Sequence, residues 1–169
     1  RAHAPRTEAQ VRTDLAAAYR LAAINGWDDT VYTHLSAGVP GEPGCYLINP
    51  FGWCFDEITA SSLVKVDVDG RVVDGSGRAV NPTGFTIHGA VHAARPEAEC
   101  VIHLHAPWGV ALSMRAEGLL PTSQWAMRLH GRLGRHAALL ALPGRDALPL
   151  RLGGRPDHEG QGRAAACGL

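Results

Sequence analysis

The residues most able to do chemistry are His103 and His105, in the run Cys100-Val-Ile-His-Leu-His-Ala-Pro107. Val101 and Ile102 favour extended backbone, and Pro96 and Pro107 bound the run, so it reads as a short buried strand. Alternate side chains of a strand share a face, which sets the two imidazoles together, about 6–7 Å apart along the backbone. Two imidazoles on a rigid strand form a ready chelating pair for a divalent metal such as zinc. Cys100, Ile102 and Leu104 are expected on the other face, packed in a core. A second pair, His88 and His92, stands four residues apart on one face of an expected helix and could transfer protons or add a ligand. For His88 the plainer alternative is a hydrogen bond inside a helix–sheet interface.

The elements that must position these residues follow from local pattern. Thr7-Glu-Ala-Gln10 reads as a capping box, and Val11, Leu15, Ala18, Tyr19 and Ala22 recur at helical spacing, so a helix is expected over 8–25 with Gly26 at its end. Residues 31–36 and 45–49 read as strands, and 57–62 as a short helical turn. Residues 63–67 and 71–73 read as strands joined by a hairpin at Asp69-Gly70. Thr83 is expected to cap a helix over 84–94 that stops before Pro96. Further helix is expected over 108–116, and helix or strand edge over 123–129. Helices alternating with antiparallel-leaning strands indicate a mixed α/β sandwich. No G-x-G-x-x-G or phosphate-binding loop is present, so a nucleotide fold has no support.

Composition narrows the function classes. Sixteen basic and sixteen acidic residues cancel among 169, so no overall field draws nucleic acid or an anionic membrane. No apolar run approaches the ~18 residues that a membrane span needs. There is no secretory signal pattern, which points to the cytoplasm. The cysteines lie far apart without C-x-x-C, and Cys45 and Cys100 read as small core hydrophobes in a reducing compartment.

Three stretches fit together: Gly26-Trp-Asp-Asp-Thr-Val-Tyr-Thr-His-Leu-Ser36; Leu47-Ile-Asn-Pro-Phe-Gly52 with Phe55-Asp-Glu-Ile-Thr-Ala-Ser-Ser62; and Gly84-Phe-Thr-Ile-His-Gly-Ala-Val-His-Ala-Ala-Arg-Pro96 leading into His103-Leu-His-Ala-Pro107. In this order and spacing, over about residues 8–136, they closely resemble the class II aldolase/adducin N-terminal domain family. The resemblance implies a three-layer α/β/α sandwich of class II aldolase type with a mixed, largely antiparallel central sheet. It implies a zinc-type metal held by three histidines, with His103 and His105 as the first two, and cleavage of a hydroxy-carbonyl or sugar-derived substrate. It also implies a substrate or phosphate pocket lined by Thr33, His34, Ser36, Asn49, Gly52, Ser61 and Ser62, although Ser61 and Ser62 could equally be helix caps. A small-molecule substrate and a homo-oligomer, a tetramer by family resemblance, complete the expectation. The alternative within this fold is a non-catalytic adducin-head-like module. Adducin heads generally lack the metal histidines, so His103 and His105 argue against it.

Three departures stand out. Active aldolases of the family place Glu or Asp four residues before the histidine matching His88, where this chain has Gly84. His34 also replaces the usual amide side chain, so activity on sugar phosphates is expected to be low. The family's third metal ligand lies in a downstream His-Gly segment. His130-Gly131 comes too early to match it, and His158 falls in a segment that should not fold. From about residue 144 the chain is rich in Gly, Arg, Ala and Pro without hydrophobic period, and with a single lysine (Lys65) among its sixteen basic residues it reads as a GC-rich coding sequence. The expected organisation is therefore a family domain over 1–143, incomplete at its C-terminal end, and a disordered, non-family tail over 144–169 produced by frameshift or truncation.

Overall fold

The structure, a computed structural model, describes residues 6–134 together with Ala165–Ala166. Helix α1 spans Glu8–Ile24 and begins with the expected capping box: Thr7 Oγ1 accepts from the Gln10 amide at 3.3 Å, and the Thr7 amide donates to Gln10 Oε1 at 2.8 Å. Asn25 closes the helix, and Gly26 follows with φ +64°, a backbone angle that costs glycine little.

The sheet runs β3-β2-β1-β4-β5, where β1 is His34–Gly38, β2 Cys45–Ile48, β3 Val64–Asp67, β4 Cys100–His103 and β5 Ala165–Ala166. The first four strands pair antiparallel, and β5 joins β4 in parallel, which makes the sheet mixed and largely antiparallel. One face carries Leu35, Ala37 and Leu47, which pack with Val11, Leu15 and Tyr19 of α1 and with Phe55 and Ile58. Phe55 begins a 3-10 turn over Phe55–Glu57. The other face carries Tyr46, Ile48, Val64 and Val66 as a second apolar cluster, with His34 and Ser36 beside helix α2, Pro82–Ala94. Helix, sheet and helix form the three layers expected. Two short helices follow, α3 over Pro107–Ser113 and α4 over Gln124–Leu129.

Several local expectations need correction. Asn81, not Thr83, caps α2: its side chain accepts from the Thr83 amide at 3.0 Å, and Pro82 takes the first helical position, where a missing N–H costs nothing. The second arm of the 63–73 hairpin forms no strand beyond one bridge, Val66 to Val72, because Asp67 and Asp74 side chains take amides that a ladder would use. Cys100 and Ile102 do not enter the core. They lie opposite Ala37 and Leu35 on the α1 face, beyond the reach of α1, and Ile102 is 40% exposed. The buried face of β4 is the one carrying Val101 and His103. His136, His158 and nearly all of the 144–169 segment lie outside the described residues. The two tail residues that are described, Ala165 and Ala166, pair with Val101 and Ile102.

Candidate metal and substrate site

β1 and β4 lie side by side with His34 directly opposite His103, so register alone brings these two imidazoles together. Their ring centroids are 4.9 Å apart, and His105, just past the end of β4, stands 5.0 Å from His103. Both ring nitrogens of His103 are buried and without a hydrogen-bond partner. Buried polar atoms are rarely left so, and each such atom costs about 1–3 kcal/mol unless something else binds it. His105 is held differently. Its Nδ1 lies 2.8 Å from Asp29 Oδ2, which leaves Nε2 free, the arrangement by which a carboxylate orients a metal-binding imidazole.

Asp29 was not legible as a site residue, because it lies 76 positions from His105. The loop that delivers it is tied down on both sides. The His105 amide donates to the Trp27 carbonyl at 3.3 Å, and the Asp29 amide donates to Thr33 Oγ1 at 3.0 Å. Thr30 within the loop has φ +47°, an unfavourable angle for a β-branched residue, so the loop stores strain next to the site.

Behind His34 runs a chain of buried polar contacts. His34 Nδ1 is 3.1 Å from His88 Nε2, His88 Nδ1 is 2.6 Å from Ser36 Oγ, and Ser36 Oγ is 2.9 Å from His92 Nε2. His92 stacks on Tyr46. Burial, reinforced by neighbouring histidines, holds His34 down to about 4 and His88 to about 2. Burial and then His105 bring His103 to about 4. All three rings are neutral at pH 7, the state in which imidazole binds metal.

A cavity of about 230 Å³ opens onto His34 and is otherwise lined by Val31, Tyr32, Phe51, Asn81 and Thr83. Of the residues expected in the pocket, only His34 lines it. Thr33 is buried beneath, and Ser36 is engaged by His88 and His92. Asn49 faces α1, where its Oδ1 lies 2.8 Å from the Tyr19 hydroxyl. Gly52 is exposed next to Phe51, and Ser62 closes a turn with Thr59 beside exposed Ser61. Phe51 falls inside one of the family-like stretches and Thr83 is expected only as a helix cap, whereas Asn81 was not legible as a site residue. Gly84 is filled from outside. A Cβ there would stand 3.0 Å from His34 Cδ2, so the imidazole takes the space that a side chain at position 84 would need.

The residues present fit a divalent metal. His103 offers unpartnered nitrogens and His105 a pre-oriented one, although among the described residues no group of three or more His, Cys, Asp or Glu is placed to hold an ion. His130 ends α4 at the surface.

A helix–sheet–helix layer with histidines converging at the end of an antiparallel strand pair is the architecture of a class II aldolase-type domain. The model of the Class II Aldolase and Adducin N-terminal domain matches residues 13–160, past the boundary at 143 expected from composition, and the chain belongs to that family. A Caulobacter vibrioides relative with a provisional class 2 aldolase name is 55% identical over 129 residues, which are 76% of this chain and 50% of the relative. Alpha-adducin of Mus musculus is 48% identical over 124 residues, 72% of this chain and 17% of the adducin. Among solved structures, L-fuculose 1-phosphate aldolase from Glaciozyma antarctica superposes with a TM-score of 0.69 at 38% identity, over 73% of this chain and 51% of that one. The chain spans about half the length of the Caulobacter relative.

Proposed function

We propose that this chain carries the two-histidine core of a class II aldolase-type metal site and that its reaction class is metal-assisted carbon–carbon cleavage of a small hydroxy-carbonyl compound. The observation that carries the reading is His103, with both ring nitrogens buried and unpartnered beside an Asp29-oriented His105. His103 and His105 would hold the metal, most plainly zinc given two imidazole donors. A bound divalent cation would polarise the substrate carbonyl and stabilise the charge that develops on its oxygen. Asp29 keeps the His105 ring aligned, and His34 presents its outer edge to the cavity. His88 and His92, expected to transfer protons, stand behind His34 and act on the cavity through it. Action in the cytoplasm on a small molecule, as a homo-oligomer of the tetrameric family form, belongs to the same reading. No helix among the described residues is long and apolar enough to cross a membrane.

The similarity to alpha-adducin favours a second reading, a non-catalytic module that works through protein contacts. Metal content separates the two. The full chain, dialysed against limiting zinc and assayed by elemental mass spectrometry, is expected to retain zinc, and the His103→Ala/His105→Ala double variant is expected to lose most of it. Equal metal content in the two proteins would remove the metal site and leave the interaction module.

A further inference from the structure

His34 and His103 stand opposite each other across β1 and β4 with ring centroids 4.9 Å apart, and the centroids of His103 and His105 are 5.0 Å apart. Around one tetrahedral zinc, with about 2.1 Å from ion to nitrogen, imidazole centroids lie roughly 5 Å from one another. Both separations are therefore those of rings that share an ion.

His34 also repeats the way His105 is held. His105 turns Nδ1 to Asp29 Oδ2 at 2.8 Å, and His34 turns Nδ1 to His88 Nε2 at 3.1 Å. Neither ring uses its Nε2 in a hydrogen bond among the described residues. A metal-binding imidazole is ordinarily fixed in this way, with one nitrogen on a neighbouring group and the other on the ion. His88 is braced in turn by Ser36 Oγ, 2.6 Å from its Nδ1, so the support behind His34 is two residues deep.

Gly84 makes the arrangement possible. The Cδ2 and Nε2 edge of His34 lies 3.0 and 3.3 Å from where a Cβ at position 84 would stand. An acidic side chain there would meet that edge, so this chain has an imidazole in the space where the family pattern expects a carboxylate. The cavity of about 230 Å³ opens onto the same ring.

We propose that His34 is the third histidine of the metal site and takes the ion through Nε2, together with His103 and His105. As the rings stand, the three do not converge on one point. Rotation about side-chain bonds closes the set while β1 and β4 keep their register. The inference rests on reading His103 and His105 as metal ligands, and it completes their site from β1 without the downstream His-Gly segment.

The test is NMR of the full chain labelled with nitrogen-15 at histidine and loaded with cadmium-113, in which each ligating nitrogen is split by the metal. Three split resonances are expected, and two in His34→Asn. Zinc affinity, read by chelator competition, is expected to fall at least about 100-fold in that variant, because losing a group that merely orients a ligand already costs about 10- to 100-fold. Two split resonances in the unmutated chain, or three in a folded His34→Asn, overturn the third ligand and leave the His103/His105 pair standing. None in the unmutated chain overturns the pair, and His34 with it. Should His34→Asn fail to fold, the chain with His3, His130, His136 and His158 all changed to Gln decides instead. Three split resonances are expected there, since His88 is engaged at both nitrogens and His92 at Nε2, and two overturn the assignment.

Discussion

Gly84 and His34 illustrate how two residues read separately can be one feature. In sequence Gly84 registers as a missing carboxylate and His34 as an unusual pocket residue. In space a Cβ at 84 would press on the imidazole at 3.0–3.3 Å, and that ring is held in place by His88. Overpacking of this kind costs about 1–3 kcal/mol. The helical gain of alanine over glycine is at most about 1 kcal/mol and smaller in a first turn. Gly84→Ala is therefore expected to destabilise the chain by about 1 kcal/mol, measured by urea unfolding, and His34→Asn in the same chain should recover most of that loss. Additive effects of the two changes would show that they do not share space. The His-x-His pair was legible because alternation is a two-residue rule, although β4 itself ends at His103 and His105 follows it. Asp29 and the His34–His88–Ser36–His92 chain were not, because they depend on the register of β1 against β4 and on the placement of α2.

Elements were legible in proportion to how locally they are specified. The capping box of α1 and its apolar stripe are written within one helix, and both appear as expected. The cap of α2 moved to Asn81 because Asn, Pro and Thr all suit a helix start, and Asn81 is further held by its bond to the Val31 carbonyl. The fate of Cys100 and Ile102 depends on how far α1 extends across the sheet, which no strand pattern records. Beside apolar packing and the Glu8–Lys65 ion pair, one hydroxyl ties α1 to the sheet. Tyr19 OH accepts from the amides of Leu35 and Asn49 and meets the Leu35 carbonyl and Asn49 Oδ1. Tyr19→Phe would keep the ring against Phe55 and orphan those buried groups. At about 1–3 kcal/mol for each group left unpaired, partly relieved by rearrangement, the expected loss is about 2–4 kcal/mol in urea unfolding. A loss below 0.5 kcal/mol would mean that the Tyr19 hydroxyl adds little to the joint between α1 and the sheet.

At the scale of the whole molecule, the buried histidines make stability depend on pH. His34, His88 and His103 are held below their ordinary value of 6.5 in the folded chain, His34 and His103 to about 4 and His88 to about 2. The unfolded chain binds the extra protons first, so the contribution is whole above pH 6.5 and drains away as pH falls toward 4. Each displaced unit is worth roughly 1.4 kcal/mol at most, and three coupled sites contribute less than their sum. Metal-free protein should therefore lose thermal stability steadily from pH 6.5 to 4.5, and His34→Asn should flatten that slope. A Tm independent of pH across this window would contradict the neutral cluster. The same scale shows where covering is thin. α3 buries none of its residues, and Trp108 is 87% exposed.

The close fit between position 84 and the ring of His34 also constrains how the site can change over generations. A lineage that acquires a carboxylate at 84 while keeping the imidazole meets a folding defect before it meets any new activity. One that first shortens residue 34 loses the contact with His88 but opens the space. Only the second order of substitutions runs downhill, so relatives with an acid at the position matching Gly84 should also have a smaller side chain at the position matching His34, and intermediates with both large groups should be missing.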